Sequence, residues 1–560
     1  MSHRRWKVLP HAPAGYLREI GVTPLAAQLL YNRRISGPAE AEAFLNKTED
    51  LQGDPFLLPD MEKAVARVYQ ALLRGETIAV YGDFDADGIC GTVLLIRGLS
   101  LLGGKAIPYI PHRVHEGYGL NLAALESLAQ EGVTLVITVD CGIGDILQVK
   151  QAQQKGLDII VTDHHSISHG LPPALAVVNP KRADSAYPFS QLAGVGVAFK
   201  FLQALYQTLG RANMLDEMLD LVSVGTVADM VPLLGENRYL VIKGLKVLNR
   251  TRRVGLQEML RAAGLGSKDV DSESISWIIA PRLNAPGRLD HALAGYRLLV
   301  TDSAEEAQQL AQELEEANTQ RQRLTNEVFV KAKEQLSATD VRLPLLMVAG
   351  ADYPRGVVGL VAGKLVEEFY RPSLVLEMGD EVSTGSARSI PEFDIIAALA
   401  ECRDMLLRFG GHPMAAGCAL YNKDLPQFQQ RLLDMAARQL AAAELYPSLT
   451  VEAEVPLSAI NGEVLKFVEK LAPFGTGNPL PVFLSRRVQV LDCSTVGNGS
   501  QHLRLKLRQG GVVWRAIVFG MGHLLAEVAP EVDIAYKFSV DRWGGQEMVE
   551  LSVLDFAPVR

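Results

Sequence analysis

The sequence predicts an α/β protein: a doubly wound parallel sheet, a long connecting helix, a second α/β domain and a small C-terminal β-barrel. Three observations carry that prediction. Between Thr77 and Val178, short runs rich in β-branched residues alternate with helical periodicity, the pattern of consecutive βαβ units. From Ser303 to Leu336 there is neither Gly nor Pro, and Leu310, Leu314, Ala317, Leu324 and Val328 keep helical spacing. One helix of roughly 50 Å, at 1.5 Å per residue, is expected there. Beyond residue 450, short strand patterns separated by Gly-rich turns indicate a barrel. At 560 residues the chain is too long for one core. The boundaries expected are 1–70 for an N-terminal segment, 71–300 for the first α/β domain, 301–340 for the connecting helix, 341–445 for the second α/β domain and 446–560 for the barrel.

Composition excludes several classes. With 48% apolar and 21% charged residues the chain reads as an ordinary globular protein. No apolar run is long enough for a membrane span, the best candidate, Ile89 to Leu102, being broken by Arg97. The opening MSHRRWKVLPHAP lacks the apolar core of a secretory signal. Five cysteines, Cys90, Cys141, Cys402, Cys418 and Cys493, form no CxxC pair, which suits a reducing cytoplasm and excludes a zinc ribbon. The net charge of −9 argues against wholesale binding of a polyanion, so any such contact must be local.

In chain order, residues 1–70 show a helical stretch near Pro38 to Asn46 and no chemistry. Strands are expected at 77–82, 105–110, 133–139, 157–162 and 174–178, with helices at 89–102, 121–130 and 145–155. In such sheets ligands gather beyond the carboxyl ends of the strands. The first strand, in TIAVYGDFDADG, runs straight into Asp83, Asp85 and Asp87, with no Lys or Arg between Arg74 and Arg97. Three like charges so close raise carboxylate pKa values and destabilise the fold unless a cation is present; taken alone, the turn also fits a solvated acidic loop or a helix cap. Asp140 follows the strand VTLVITV, and Asp163, His164 and His165 follow LDIIVT. Three strands thus deliver metal-capable groups to one edge of one sheet. Asp229, in GTVADMVPL at the end of a helix expected from Leu215 to Val227, sits among apolar residues and needs a cation or donors.

Other stretches suit phosphate. Arg113, in YIPHRVHEGYG, shares the edge of the carboxylates. Arg282 and Arg288 fall in APRLNAPGRLD, read as a loop shaped by Asn284, Pro286 and Gly287. The second α/β domain opens with the strand LPLLMVAG and a helix from Val357 to Phe369. There Ser386, Arg388 and Ser389 gather donors beside Gly385, and Gly410, Gly411 and Gly417 permit close backbone approach, together a phosphate-binding kit. In QHLRLKLRQ, strand periodicity puts His502, Arg504, Lys506 and Arg508 on one face and the leucines in the core. Trp514, Phe519 and Trp543 are candidates for base stacking, with buried packing expected for two of the three.

The order Asp85-x-Asp87-Gly, Asp140, Asp163-His164-His165, Asp229 resembles the four motifs of the DHH phosphoesterase superfamily. FGGHPMAAG, from Phe409 to Gly417, is similar to the GGHxxAAG signature of the DHH-associated domain. Length, order and the added C-terminal segment are most similar to the RecJ family of single-strand-specific 5′-to-3′ exonucleases, over about residues 75 to 560. One departure concerns the superfamily's pyrophosphatases, which place a His four residues before the first Asp where this chain has Tyr81, and this speaks against pyrophosphate as substrate. The resemblance implies a 5′-to-3′ exonuclease acting on single-stranded DNA in recombination and repair, an OB-fold at the C-terminus, and a single-stranded-DNA-binding protein and a helicase as partners. It implies that Arg113, Ser386 and Arg388 grip a terminal 5′-phosphate and that His412 faces the scissile region. Four carboxylates and a histidine exceed the needs of one ion, so two are expected, bridged by Asp140. Oxygen ligands with a single imidazole favour Mn²⁺ or Mg²⁺ over zinc. Asp85, Asp87, Asp140, His164 and Asp229 are the expected metal ligands, His165 contacts the scissile phosphate, and Asp83 orients a ligand or a water. Two alternatives stay open: a phosphodiesterase of oligoribonucleotides or cyclic dinucleotides, and a non-catalytic replication scaffold on the same fold.

Overall fold

The computed structural model describes residues 4–46, 51–167, 170–211, 214–266, 268–337, 343–541 and 548–559. They form two compact units, one of residues 52–445 and the other of 1–51 together with 446–560.

The larger unit is built on a five-stranded sheet, every strand parallel to its neighbours. The spatial order is Lys105–Tyr109, Thr77–Gly82, Val133–Val139, Asp158–Thr162, Ala176–Val178. The strand that comes first in sequence therefore lies second in space, and the direction of winding reverses between Thr77–Gly82 and Val133–Val139. That reversal opens a crevice at the carboxyl ends of these two strands. The helix Ala86–Leu101 is buried along nearly its whole length, because it packs against the sheet and the helices Gly194–Thr208 and Leu219–Ala228.

The segment expected to be a loop around Arg282 and Arg288 is instead a helix, Ala280–Leu289, entered through a π-helical turn at Ile275–Ile279. Pro286 lies inside it. Tertiary packing overrides the local breaker signal: Leu283, Ala285, Pro286 and Gly287 are all buried, and Asn284 Oδ1 accepts a hydrogen bond from Ala86 N at 2.7 Å. The connecting helix, Ala304–Ser337, packs against the helices Val254–Ala262 and Ala280–Leu289 and, further along, against Arg355–Phe369. It leads into a second five-stranded sheet ordered Leu406–His412, Ala415–Tyr421, Val382–Arg388, Ser373–Met378, Leu346–Gly350. Only the last pair is parallel.

In the smaller unit a six-stranded sheet closes on itself through pairing of Phe483–Val496 with Glu531–Asp541. On the strand His502–Gln509, Leu503, Leu505 and Leu507 are buried while Arg504, Lys506 and Arg508 face solvent. Trp514 is half-buried, whereas Phe519 is 59% exposed and meets the His502 ring edge-on at 5.3 Å, so it is not the packing residue that burial would require. Trp543 lies outside the described residues. The N-terminal residues belong to this unit: Arg5–Val8 pairs in parallel with Ser448–Val451. Arg33 makes a buried ion pair with Glu452 at 2.6 Å and donates to Asn478 Oδ1 at 2.7 Å.

Removing one member of a buried pair strands the other's charge, at a cost of roughly 3–5 kcal/mol. Arg33→Ala should therefore destabilise this unit by that amount in denaturant titration. Replacing both Arg33 and Glu452 with apolar residues should restore most of it, and a loss under about 1 kcal/mol for Arg33→Ala would contradict the assignment.

Candidate metal centre

Asp83, Asp85, Asp87 and Asp140 are held by the backbone that follows a strand, and Asp229 by the end of the helix Leu219–Ala228. Asp83 N donates to Val139 O at 3.1 Å, joining the two strand ends at the crevice. Asp85 caps the helix Ala86–Leu101, its Oδ1 accepting from Asp87 N at 2.9 Å and Gly88 N at 3.1 Å. Asp87 accepts from Gly194 N at 2.7 Å and Val195 N at 2.9 Å, the first N–H groups of the helix Gly194–Thr208. The capping alternative thus holds for one oxygen of Asp85 and leaves the rest of the cluster unexplained. Asp140 takes a left-handed backbone, φ 61°, which turns its side chain into the crevice. A Cβ on Gly194 would come within 2.5 Å of the Asp140 Cβ, so glycine is required there for the carboxylate to sit where it does.

The structure brings the predicted ligands together. Atoms of Asp83, Asp85 and Asp140 lie within 4.8 Å of one another, as do those of Asp87, His164 and Asp229 and those of Asp140, His164 and His165. Asp140 is common to two of these groups, and its Oδ1 is 3.0 Å from His164 Nε2, which is also 3.5 Å from Asp229 Oδ2.

Electrostatically the cluster is under strain. Burial, and then the charge of Asp85, push Asp83 well above the usual carboxylate range. Burial and Asp87 do the same to Asp140. Burial and Asp85 raise Asp87 to about 7, and burial and Asp87 raise Asp229 to about 9. His164 is pushed down to about 3 by burial and by His165, which keeps its ring neutral. Asp83 Oδ1, Asp140 Oδ1, Asp229 Oδ2 and His164 Nε2 are buried without a hydrogen-bond partner among the described residues. An imidazole nitrogen 3.0 Å from a carboxylate oxygen, without hydrogen-bond geometry, sets lone pair against lone pair. Cations among these atoms satisfy all four orphans and cancel the repulsion, and oxygen donors with one imidazole match hard divalent ions.

Asp163 has a different role, which its place in the sequence did not reveal. It is fully buried and accepts from Ile143 N, His164 N and His165 N at 2.9, 2.7 and 3.0 Å, and its Oδ1 lies 2.8 Å from His165 Nδ1. Burial alone would raise its pKa, yet the hydrogen bonds and charge of His165 bring it below the ordinary value. For His165 burial pulls down while Asp163 outweighs it and raises the ring. Asp163 therefore fixes the orientation of His165, helped by Tyr118, whose hydroxyl is 3.0 Å from the same Nδ1 and donates to Asp140 O. Tyr81, where pyrophosphatases carry His, is a core residue stacked on Tyr109.

A cavity of about 460 Å³ opens beside this cluster. Arg113, Arg288, Arg355, Arg388, Arg408 and Ser386 line it with backbone from Gly356, Gly359, Gly385, Gly410 and Gly417, and no carboxylate does among the described residues. Arg113 lies 4.7 Å over the Phe84 ring, and Arg388 donates to Ser386 Oγ at 3.2 Å. Burial and the neighbouring Arg113, Arg321 and Arg388 pull Arg288 down to about 9, against Asp85. Two predicted residues do not join. Arg282 is committed to an ion pair with Glu315 on the connecting helix and to Ile278 O. His412 is exposed at the end of its strand, its Nδ1 accepting from Met414 N, and it does not line the cavity. Arg504, Lys506 and Arg508 lie in the smaller unit. Arg355 and Arg408 were missed because each stands alone in sequence among apolar residues and glycines.

The profile of the DHH family, N-terminal domain, matches residues 77–226, the segment that carries the parallel sheet and every residue of the rim except Asp229. The DHHA1 domain matches 342–442 and the RecJ OB domain 451–555. The chain is 37% identical over 543 residues to the single-stranded-DNA-specific exonuclease RecJ of Bacillus subtilis, covering 96% of this chain and 68% of the relative. The crystal structure of RecJ in complex with Mn²⁺ from Thermus thermophilus superposes with a TM-score of 0.86 at 32% identity, covering 99% of this chain and 80% of that one. The Mg²⁺ complex of the same protein gives 0.80 at 31% identity, covering 99% and 79%. The chain belongs to the RecJ family.

If cations relieve the rim, Mn²⁺ must stabilise the fold, by about 2.7 kcal/mol per ion at a hundredfold excess over Kd. Thermal unfolding in EDTA and in excess Mn²⁺ measures this. Asp140→Asn should be more stable than the parent in EDTA, because it removes a repelling charge, and should lose most of the Mn²⁺ response. An unchanged melting temperature of the parent on adding Mn²⁺ would refute the metal assignment.

Proposed function

We propose that this chain is a single-stranded-DNA-specific exonuclease that hydrolyses phosphodiester bonds from the 5′ end and releases 5′-mononucleotides, using two divalent cations, Mn²⁺ or Mg²⁺. The observation that supports it most is adjacency. The cavity wall includes Phe84, between Asp83 and Asp85, and Tyr118, whose hydroxyl touches Asp140 O and His165 Nδ1, and Arg288 feels the charge of Asp85, so acidic rim and basic cavity are neighbouring halves of one site. Asp85, Asp87, Asp140, His164 and Asp229 would hold the ions, which when bound lower the pKa of water and neutralise charge on the reacting phosphate. Asp83 orients a ligand or water through its unpaired oxygen. His165, held by Asp163, contacts the scissile phosphate. Arg113, Arg288, Ser386 and Arg388 grip the terminal 5′-phosphate through charge-assisted hydrogen bonds. With the strand's end anchored there, the next phosphodiester falls towards the carboxylates, which sets the polarity and the one-nucleotide product.

The exposed cations of the strand His502–Gln509 supply a face that follows a phosphate backbone, which favours a polymer over a dinucleotide substrate. The intact donor set favours an enzyme over a scaffold. No helix among the described residues is long and apolar enough to cross a membrane. Five free cysteines suit a cytoplasmic setting. By family, a single-stranded-DNA-binding protein and a helicase are the proposed partners.

Digestion of 5′-labelled and 3′-labelled single strands with Mn²⁺ or Mg²⁺ tests the reading. The 5′ label should appear at once as mononucleotide while the 3′ label shortens stepwise; the reverse order, or equal attack on duplex, would contradict it. Asp140→Ala should lower the rate at least about a hundredfold while strand binding stays measurable.

A further inference from the structure

We propose that the basic cavity continues beyond the terminal phosphate into a subsite for further phosphoryl groups, formed by Arg355, Arg408 and the start of the helix Arg355–Phe369, and that the protein accepts strands with a 5′-triphosphate. The inference rests on the reading of the site as a 5′-end exonuclease. Five guanidinium groups line the cavity with no carboxylate among them. A 5′-monophosphate carries about two negative charges at neutral pH. Arg113, Arg288 and Arg388, with Ser386, are already enough to hold such a group, which leaves Arg355 and Arg408 without an anion in the cavity.

The cavity adjoins the rim through Phe84, which stands between Asp83 and Asp85, and through Tyr118, whose hydroxyl donates to Asp140 O. Arg288 and Arg113 both meet the rim, Asp85 opposing the charge of the first and the second acting on Asp83. Arg113 is the shared neighbour, repelling Arg288, Arg388 and Arg355 alike. Arg355 is flanked by Arg408 and Arg113, with Glu377 as the opposing charge, and Arg408 reaches the exposed mouth. The two unused cations therefore line the same cavity, Arg408 at its exposed mouth and Arg355 beside the backbone of Val114, and are free to meet the β- and γ-phosphates of a strand end. The helix Arg355–Phe369 opens without a capping side chain or an acidic residue in its first turn, and its Gly356, Val358 and Gly359 form cavity wall. A helix start of this kind directs N–H groups at an anion.

The reaction on such an end keeps the anhydride intact. The water oxygen bonds to the phosphorus of the first phosphodiester, the bond from that phosphorus to the 3′ oxygen breaks, and the 3′ oxygen takes up a proton. The products are a nucleoside 5′-triphosphate with a free 3′-hydroxyl and a strand one nucleotide shorter bearing a 5′-monophosphate. Nothing is oxidised or reduced.

The test compares two DNA strands of one sequence, bearing a 5′-monophosphate or a 5′-triphosphate, with the full-length protein and Mn²⁺. The parent should process the triphosphate strand with kcat/KM at least equal to that for the monophosphate strand, and mass spectrometry should find the first product as nucleoside triphosphate. Arg355→Ala with Arg408→Ala should lower kcat/KM on the triphosphate strand about tenfold or more and on the monophosphate strand by less than about twofold. The monophosphate rate reports folding, and Arg408→Ala alone, at an exposed position, should reproduce part of the effect. A parent that degrades the monophosphate strand but stalls on the triphosphate strand overturns the inference, as does an equal loss on both strands in the variants. A parent that leaves the monophosphate strand untouched overturns the exonuclease reading itself.

Discussion

The repulsion among five carboxylates in one crevice is the constraint to which the rest of this molecule answers. Two unit charges 4 Å apart at an effective dielectric near 20 interact with about 4 kcal/mol, and Asp83, Asp85, Asp87, Asp140 and Asp229 form several such pairs. The fold opposes this locally with directed N–H groups. The start of one helix is capped by Asp85, and the start of another donates twice to Asp87. These hydrogen bonds orient the carboxylates without neutralising them. Asp83 Oδ1, Asp140 Oδ1, Asp229 Oδ2 and His164 Nε2 stay buried without a hydrogen-bond partner among the described residues, and they mark where positive charge is needed.

The basic cavity is the same problem with the sign reversed. Arginines crowded against one another are stable together when an anion lies between them, and the attractions that link the two halves run from Arg288 to Asp85 and from Arg113 to Asp83. A chain of net charge −9 thus concentrates positive charge where a strand end would enter and negative charge where cations would sit. A phosphate chain bound across both would be fixed by its end on one side and presented for hydrolysis on the other, which is how geometry rather than base identity sets the register.

How much of this was legible in the sequence follows from how local each feature is. The parallel sheet, the long helix and the cationic strand face could be read because periodicity is a local property, and the acidic rim because all its residues but Asp229 closely follow strands, while Asp229 stood out as a lone charge among apolar residues. The helix Ala280–Leu289 could not, since its packing against Ala86 overrides an internal proline. The ion pair of Arg282 could not be foreseen, because its partner Glu315 lies 33 residues away on the long helix and only the tertiary fold brings the two together. Asp163 reads from sequence as one more metal-capable group after its strand, and only its three backbone N–H donors and its contact with His165 Nδ1 show that it steers His165. The union of residues 5–8 with 448–451 left no trace in either segment, because parallel pairing of distant strands has no turn to betray it.

The most direct measurement is anomalous diffraction at the manganese edge from crystals of this protein grown with Mn²⁺. The account predicts two peaks about 3.5–4 Å apart, one within reach of Asp83, Asp85 and Asp140, the other within reach of Asp87, His164 and Asp229, with Asp140 touching both. Peaks lying elsewhere, or an ordered crevice that stays free of manganese, would contradict it.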